Sequence, residues 1–292
     1  MWSGNERLRV MIHPPQRGSD GSKGTGAVVL AHGLANDRDE AGQFPMLAER
    51  LSASGHTVVR FDFRRGGADR PPRHLPASEW THDLLNAVAY TRGLPDVDPE
   101  KVLIVGASCG GSVGLVVAAI ERGVRGIATL GCFGDGERWY RELWSARHGE
   151  GAWDDFMWAV EQDRRQRSNG ASGVVVPLVG GFLPVAESGL RAAEDFVRSH
   201  PGMLSHLPLE VVDDLLLVSP EAWMSRIEAP VLLVHGADDE LVPLGELERL
   251  AEAAGPRARI RVIEGGIHQL LLDESRDLVI EELVAWSHEC LR

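Results

Sequence analysis

The chain has 292 residues, of which 43% are hydrophobic and 25% charged, so a buried core can form without a disulfide or a metal ion to hold it. Its formal net charge of −13 argues against a general binder of nucleic acids or anionic membranes, because a field of that sign repels phosphate. The three cysteines, Cys109, Cys132 and Cys290, lack the paired spacing of a zinc site or a disulfide framework.

The N-terminal residues, MWSGNERLRVMIHPP, are interrupted by charges and lack the apolar run of a signal peptide. No stretch of the sequence approaches the roughly 18 consecutive apolar residues of a membrane span. We therefore expect a cytoplasmic protein without a membrane partner.

Short apolar runs alternate with helical patterns in the first part of the chain. Strands are predicted at Arg7–His13, Ala27–Ala31, His56–Phe63, Lys101–Val105 and Val124–Leu130. Helices are predicted at Phe44–Ala53, Glu79–Thr91 and Gly111–Ala119. Arg17–Gly26 is predicted as a turn and Arg64–Leu75 as a loop. The arginines of Arg60–Gly67 are predicted to lie in a solvated loop, with contact to an anionic substrate as the alternative. This alternation is typical of an α/β fold with a mostly parallel sheet flanked by helices.

The pattern changes from Cys132 to Glu228, where helical stretches replace the strands. Gly180 and Gly181 lie between two apolar runs and predict a β-hairpin, although flanking prolines weaken the signal. Strands then resume at Pro230–His235 and Arg259–Glu264, before a final helix near Ser275–Glu289. We interpret residues 1–131 and 229–292 as one α/β core, interrupted by an inserted, mainly helical cap at residues 132–228.

The residues Gly106-Ala107-Ser108-Cys109-Gly110 stand directly between a predicted strand and a predicted helix. A serine hydroxyl becomes a useful nucleophile only when it is exposed, oriented and next to a base. A sharp strand-to-helix turn exposes the hydroxyl, and the glycines on either side relieve the crowding of that turn. The motif therefore predicts Ser108 as a nucleophile.

With this motif the sequence resembles the α/β-hydrolase superfamily, whose catalytic residues follow the order serine, acid, histidine. The resemblance places the acid at Asp239 in HGADDELVP and the histidine at His268 in RVIEGGIH. His268 would take the proton of Ser108, and Asp239 would orient the imidazole and stabilise its charge. Asp238 is a competing acid, and one of the two aspartates could instead cap the following helix.

The resemblance also implies an oxyanion hole made of two backbone N–H groups. One belongs to Cys109, which follows the nucleophile, and the other to Leu34 in the His32-Gly33-Leu34 loop. Several aromatic residues of the cap would pack within it, and one or two would face the pocket. These residues are Trp139, Trp144, Trp153, Phe156 and Trp158.

Within the superfamily, HGLANDRDE, the serine motif and HGADDELVP resemble the lidded branch that contains feruloyl or cinnamoyl esterases and lysophospholipase-like enzymes. We therefore expect a serine hydrolase that cleaves a small carboxylic ester without a cofactor or a metal ion. A thioester, an amide or a peptide is the nearest alternative substrate. Acyl transfer or ring closure and a ligand receptor without turnover remain further alternatives. A homodimer also remains open.

Overall fold

A computed structural model describes residues 1–16, 26–64, 66 and 77–292 of the chain. The strands are β1 (Trp2–Ser3), β2 (Glu6–Arg7), β3 (Val10–His13), β4 (Ala27–Ala31), β5 (Thr57–Phe61), β6 (Val102–Ala107), β7 (Val124–Leu130), β8 (Val175–Pro177), β9 (His206–Pro208), β10 (Val231–Gly236) and β11 (Ala258–Ile263). The helices are α1 (Gln43–Ala53), α2 (Trp80–Arg92), α3 (Cys109–Ile120), α4 (Gly136–His148), α5 (Ala152–Ser168), α6 (Glu187–Ser199), α7 (Val211–Leu216), α8 (Leu244–Ala254) and α9 (Arg276–Leu291).

Seven of these strands form the central sheet, in the order β11-β10-β7-β6-β4-β5-β3. All neighbouring pairs are parallel except β3 with β5, which is antiparallel. The predicted α/β fold with a mostly parallel sheet is therefore confirmed.

Helices cover both faces of this sheet, so its central strands are buried on both sides. Along β4, Val28 and Leu30 pack with residues of α1 and α9, whereas Val29 packs with residues of α2 and α3. This two-sided burial explains why the strand sequences are continuously apolar and do not alternate.

The predicted first strand, Arg7–His13, starts later in the structure, at Val10. Arg7 belongs instead to β2, which pairs with β1 in a small antiparallel sheet. The alternation of residues cannot distinguish one long strand from two short ones that belong to different sheets. The predicted turn at residues 17–25 lies outside the described residues. Residues 65 and 67–75 of the predicted loop also lie outside them.

Between β7 and β10 the chain adds no strand to the central sheet. It contains α4 to α7 and a two-stranded antiparallel sheet, in which β8 pairs with β9. The predicted β-hairpin at Gly180 and Gly181 is wrong, because β8 ends at Pro177 and pairs with a strand that follows α6. The two glycines form only a local turn, with a single bridge between Val179 and Leu183.

A buried ion-pair network attaches the start of this intervening segment (residues 132–228) to the core. Glu246 on α8 has a fully buried side chain, which accepts hydrogen bonds from Gly134 N at 2.7 Å and from the guanidinium of Arg138 on α4 at 3.0 Å. Arg138 also pairs with Glu221 at 2.7 Å. Burial would raise the pKa of Glu246, but Arg138 and Arg249 hold it below the usual value.

None of the helices in the described part of the chain is long and apolar enough to cross a membrane.

A second buried ion pair joins the loop after β5 to α2. Asp83 is fully buried, and its carboxylate accepts hydrogen bonds from the Arg64 guanidinium at 2.7 Å and the Arg64 backbone N–H at 2.9 Å. Ser3 donates to the same carboxylate at 2.6 Å, which fixes the N-terminal hairpin to α2. Arg64 was predicted to begin a solvated loop, but its side chain is only 7% exposed because Asp83 pairs with it.

Removing one member of a buried ion pair leaves the other charge without a partner in the protein interior. We expect Asp83→Ala to lower the free energy of unfolding by about 3–5 kcal/mol, measured by urea denaturation. The control is Glu161→Ala, which removes an exposed pair with Arg165 and should change this free energy by less than about 0.5 kcal/mol. Equal effects of the two variants would contradict the importance assigned to the buried pair.

Candidate active site

The site residues predicted from the sequence lie at one edge of the central sheet. The parallel strands end in register there: Ala31 pairs with Gly106, and Leu130 pairs with both Ala107 and Val234. The loops that leave β4, β6, β10 and β11 at this edge carry, in chain order, Leu34, Ser108 with Cys109, Asp239 and His268.

Ser108 occupies the sharp turn between β6 and α3. Its backbone dihedrals are φ 48° and ψ −124°, a conformation that costs a non-glycine residue about 1–3 kcal/mol. Hydrogen bonds on both sides hold the turn: Ser108 N donates to Leu130 O at 2.8 Å, and Gly111 N donates to Ser108 O at 2.9 Å. The strained turn directs the serine side chain into a pocket above the sheet.

Two glycines of the motif allow α3 to start close to its neighbours. A Cβ atom on Gly106 would overlap the Gly110 carbonyl, and one on Gly110 would overlap the carbonyls of Ala31 and His32. Gly106 therefore lets α3 start close to the end of β6, and Gly110 lets the turn contact the end of β4, so neither position tolerates a side chain.

Asp239 and His268 form a hydrogen-bonded pair beside this turn. His268 Nδ1 donates to Asp239 Oδ2 at 2.7 Å, and Asp239 Oδ1 accepts from the N–H groups of Leu241 at 2.9 Å and Val242 at 2.8 Å. Burial would raise the pKa of Asp239, but His268 and the Val242 N–H lower it below its usual value. Burial likewise would lower the pKa of His268, and the Asp239 carboxylate raises it above its usual value.

The structure distinguishes the two adjacent aspartates that the sequence left as alternatives. Asp239 is buried against His268, whereas Asp238 is exposed. His235 supports the same loop: its Nε2 donates to Val242 O at 2.8 Å and lies 3.5 Å from Asp239 Oδ2. Burial lowers the pKa of His235, so it is neutral at pH 7 and has a structural role.

The two residues predicted to supply the N–H groups of an oxyanion hole lie near Ser108 in the fold. Leu34 lies in the loop after β4, and Cys109 is the first residue of α3. Neither N–H donates to an acceptor in the part of the chain that the structure describes. Both residues line the same pocket as Ser108.

His32 fixes the start of the loop that carries Leu34. Its Nε2 accepts from Phe63 N at 3.0 Å, and its Nδ1 donates to Gly33 O at 2.8 Å. Burial lowers the pKa of His32, which keeps the imidazole neutral and compatible with one donor and one acceptor. His32 is thus a structural residue that holds the loop after β4 in place.

The pocket is polar at the sheet edge and apolar further out. Ser108 and His268 lie at its polar end. Its apolar wall includes seven side chains of the intervening segment, namely Phe133, Trp139, Leu178, Leu183, Phe196, Met203 and Leu215. The free volume is about 80 Å³, so these side chains limit what the pocket can hold.

Among the aromatic residues singled out in the sequence, Trp139 lines the pocket, as expected for one or two of them. Its indole N–H donates to Leu241 O at 2.7 Å, which sets the ring beside the Asp239 loop. Trp144 and Phe156 stack on each other with centroids 4.0 Å apart and so pack within the segment. Trp158 is 64% exposed.

One buried acid of the pocket was not identified from the sequence. Glu40 is the last residue of the stretch HGLANDRDE, and its carboxyl accepts a hydrogen bond from Gly33 N. Asn36 Nδ2 donates to the other oxygen at 2.8 Å. A charged residue in a polar loop gives no sequence signal of burial, so only the folded loop reveals this contact.

Comparisons with known proteins identify the family to which the chain is similar. The model of the Alpha/beta hydrolase family matches residues 28–282, which include every predicted site residue. The "Putative carbamate hydrolase RutD" of Pseudomonas savastanoi pv. phaseolicola is 36% identical over 222 residues, covering 73% of this chain and 76% of its own length. The "Quorum-quenching protein AidA" of Acinetobacter baumannii is 28% identical over 269 residues, covering 89% and 85%.

Among solved structures, Est1E from Butyrivibrio proteoclasticus with ferulic acid bound matches with a TM-score of 0.64 and 17% sequence identity. The match covers 97% of this chain and 95% of Est1E. At this identity the similarity concerns the fold, and it extends over the intervening segment as well as the sheet.

The contact between Asp239 and His268 predicts unequal effects for the two aspartates. We expect Asp239→Asn to lower kcat by about 10⁴-fold, because the amide favours the wrong imidazole tautomer. We also expect it to move the acid limb of the pH profile to lower pH, because the carboxylate that raises the pKa of His268 is lost. Both are measured by ester hydrolysis over a range of pH.

Asp238→Asn is the matched control, since it removes the same charge from an exposed neighbouring position. It should leave kcat within about twofold of the unmodified protein. A larger loss for Asp238→Asn than for Asp239→Asn would contradict this assignment.

Proposed function

Because the chain belongs to the alpha/beta hydrolase family and is an enzyme of the hydrolase class, we propose that it hydrolyses carboxylic esters through an acyl-enzyme on Ser108. The observation that supports this most strongly is the shared pocket. Ser108 stands there on a strained turn, together with a histidine that is hydrogen-bonded to a buried aspartate. Such a set of groups activates a hydroxyl without a cofactor or a metal ion.

In the first half of the reaction, Ser108 Oγ attacks the ester carbonyl carbon while His268 Nε2 accepts the hydroxyl proton. The carbonyl oxygen becomes negatively charged and accepts hydrogen bonds from the N–H groups of Leu34 and Cys109. The tetrahedral intermediate then expels the alcohol, which receives the proton from His268. Asp239 stabilises the imidazolium throughout this step and remains ionised.

In the second half, water takes the place of the alcohol. His268 removes a proton from the water, whose oxygen attacks the acyl carbon bound to Ser108. The second tetrahedral intermediate collapses, the carboxylic acid leaves, and His268 returns the proton to Ser108. Each half-reaction restores the neutral imidazole, so the cycle consumes only ester and water.

The lining of the pocket indicates the class of acyl group. Its outer wall is apolar and neither lysine nor arginine lines it among the described residues. A carboxylate or phosphate on the substrate would lose its hydration there without a compensating charge. We therefore propose an uncharged, partly apolar acyl group, and we assign the intervening segment at residues 132–228 the role of a cap that selects it.

The nucleophile is tested by Ser108→Ala, which removes the attacking oxygen and leaves a smaller side chain on the same turn. We expect kcat for a p-nitrophenyl ester to fall by several orders of magnitude, about 10⁴-fold or more, while the protein keeps its melting temperature. A fluorophosphonate probe should label the unmodified protein on Ser108 and should leave the variant unlabelled.

Full activity of Ser108→Ala would contradict the proposal. The substrate panel should include p-nitrophenyl esters from acetate to octanoate, an aryl ester and a matched thioester. Preference for the thioester would revise the substrate class while retaining the mechanism. Capture of the acyl group by an added alcohol or amine, in preference to water, would instead identify an acyltransferase.

The cap assignment is tested at Phe196, which lines the pocket from α6. Phe196→Ala removes part of the wall, so we expect kcat/KM for the longer acyl esters to rise relative to acetate by about tenfold. Arg198→Ala is the control, because Arg198 lies on the same helix and its side chain is 73% exposed. An unchanged chain-length profile for Phe196→Ala would contradict the role of this segment in selecting the substrate.

A further inference from the structure

Glu40 is a buried acid that faces the candidate active site but has no part in the mechanism proposed above. It is 5% exposed and lines the same pocket as Ser108 and His268. No lysine or arginine of the described residues forms an ion pair with it. Its two oxygens instead accept hydrogen bonds from Gly33 N and Asn36 Nδ2.

These two hydrogen bonds close the loop that carries Leu34. The loop includes non-glycine residues with left-handed backbone conformations at Ala35 (φ 62°), Glu40 (φ 46°) and Ala41 (φ 51°). Such conformations persist only where surrounding contacts compensate for their cost. The Glu40 carboxyl supplies that support, because it connects the end of the loop to Gly33 and Asn36 at its start.

The carboxyl also lies close to the position where negative charge would develop. A Cβ atom on Gly33 would lie 3.3 Å from Glu40 Oε1 and 3.3 Å from Ser108 Cβ, so the carboxyl and the serine flank the same glycine. The next residue, Leu34, offers the N–H proposed for the oxyanion. An ionised carboxylate here would repel the negative oxygen of the tetrahedral intermediate.

We propose that Glu40 is a positioning residue that supports the oxyanion loop in its uncharged form, and that its ionisation inactivates the enzyme. This inference rests on the proposed function of Ser108 and Leu34. It adds a carboxyl that touches no reacting atom and acts through the Gly33 and Leu34 backbone.

Burial, more than the neighbouring charges, favours an uncharged carboxyl at Glu40 by raising its pKa. His268 faces it from the loop after β11, Asp37 from its own loop, and the Cys109 thiol from α3. Burial raises the pKa of Glu40 to about 8, while the Gly33 N–H and His268 lower it and Asp37 raises it further. Burial also raises the pKa of Cys109 to about 12, so the thiol stays neutral in this range.

The pH dependence of kcat/KM follows from the directions in which the pKa values of His268 and Glu40 are shifted. On the acid side, activity increases as His268 loses its proton, because only the neutral imidazole is a base. On the alkaline side, activity should decrease with a midpoint near pH 8, as Glu40 loses its proton. The unmodified enzyme should therefore have a bell-shaped profile.

Two substitutions separate support of the loop from the charge. Glu40→Ala removes the hydrogen-bond acceptor for Gly33 N, and we expect kcat to fall by about 10–100-fold with a smaller change in KM. Glu40→Gln cannot ionise and keeps one oxygen that accepts from Gly33 N, while its NH2 group donates to Asn36 Oδ1, a buried atom without a partner among the described residues, once the Asn36 amide turns over. It should restore kcat at pH 7 to within about threefold of the unmodified enzyme and abolish the alkaline decrease.

Glu246→Gln is the matched control, since Glu246 is equally buried but lies outside the pocket and pairs with Arg138 and Arg249. Its folded fraction should retain the alkaline decrease. The proposal is overturned if the unmodified enzyme has no alkaline decrease near pH 8, or if Glu40→Gln keeps it. It is also overturned if folded Glu40→Gln, still labelled by a fluorophosphonate, is inactive at pH 7.

Ser108→Ala, measured in the same assays, separates this inference from the proposed function. If Ser108→Ala stays active, the acyl-enzyme mechanism fails and the inference with it. If Ser108→Ala is inactive and Glu40→Gln keeps the alkaline decrease, the mechanism stands and only the role of Glu40 is rejected.

Discussion

The close contact between the turn at Ser108 and the end of β4 is the constraint on which the candidate site depends. It exists because two neighbouring parallel strands end at the same level and because Gly106 and Gly110 have no side chains. The contact brings the loop after β4 alongside the start of α3. Leu34 and Cys109 thereby line one pocket with Ser108, although they are 75 positions apart in the sequence.

The sheet supports the remaining groups by the same principle. The loops after β10 and β11 leave the same edge of the sheet as Ser108. The register of these paired strands is enough to bring Asp239 and His268 into contact. His235 fixes the loop after β10 through its hydrogen bond to Val242 O, and His32 fixes the loop after β4 through its hydrogen bonds with Phe63 N and Gly33 O. Both of these histidines are neutral and structural, and the pKa of His268 alone is raised among the histidines of the site.

Much of this arrangement could be predicted from the sequence, because it depends on local patterns. The Ser108 and Asp239 motifs follow the mostly apolar central strands β6 and β10, and His268 follows the last strand, β11, which lies at the edge of the sheet and contains two arginines. The family match confirms the fold and the hydrolase class, while the roles of these three residues remain predictions. Contacts between residues that are far apart in the sequence could not be predicted from it. The burial of Arg64 depends on Asp83, and the true partner of β8 lies beyond α6. The choice between Asp238 and Asp239 depends on which of them the fold turns toward His268.

The incomplete burial of helix α6 affects how the sequence of this fold can vary. It is strongly amphipathic, with Phe196 on its inner side, yet none of its thirteen residues is fully buried. The cohesion of the molecule therefore depends little on it, and substitutions along it should cost little folding free energy. Glu246 and Arg138 meanwhile hold the start of the same segment to α8, and its end at Pro220–Arg226 packs against α3 and α8. Both ends of the segment are thus constrained by the fold, and α6 between them is free to vary. Homologous sequences could drift at α6 while the sheet and its edge stay the same.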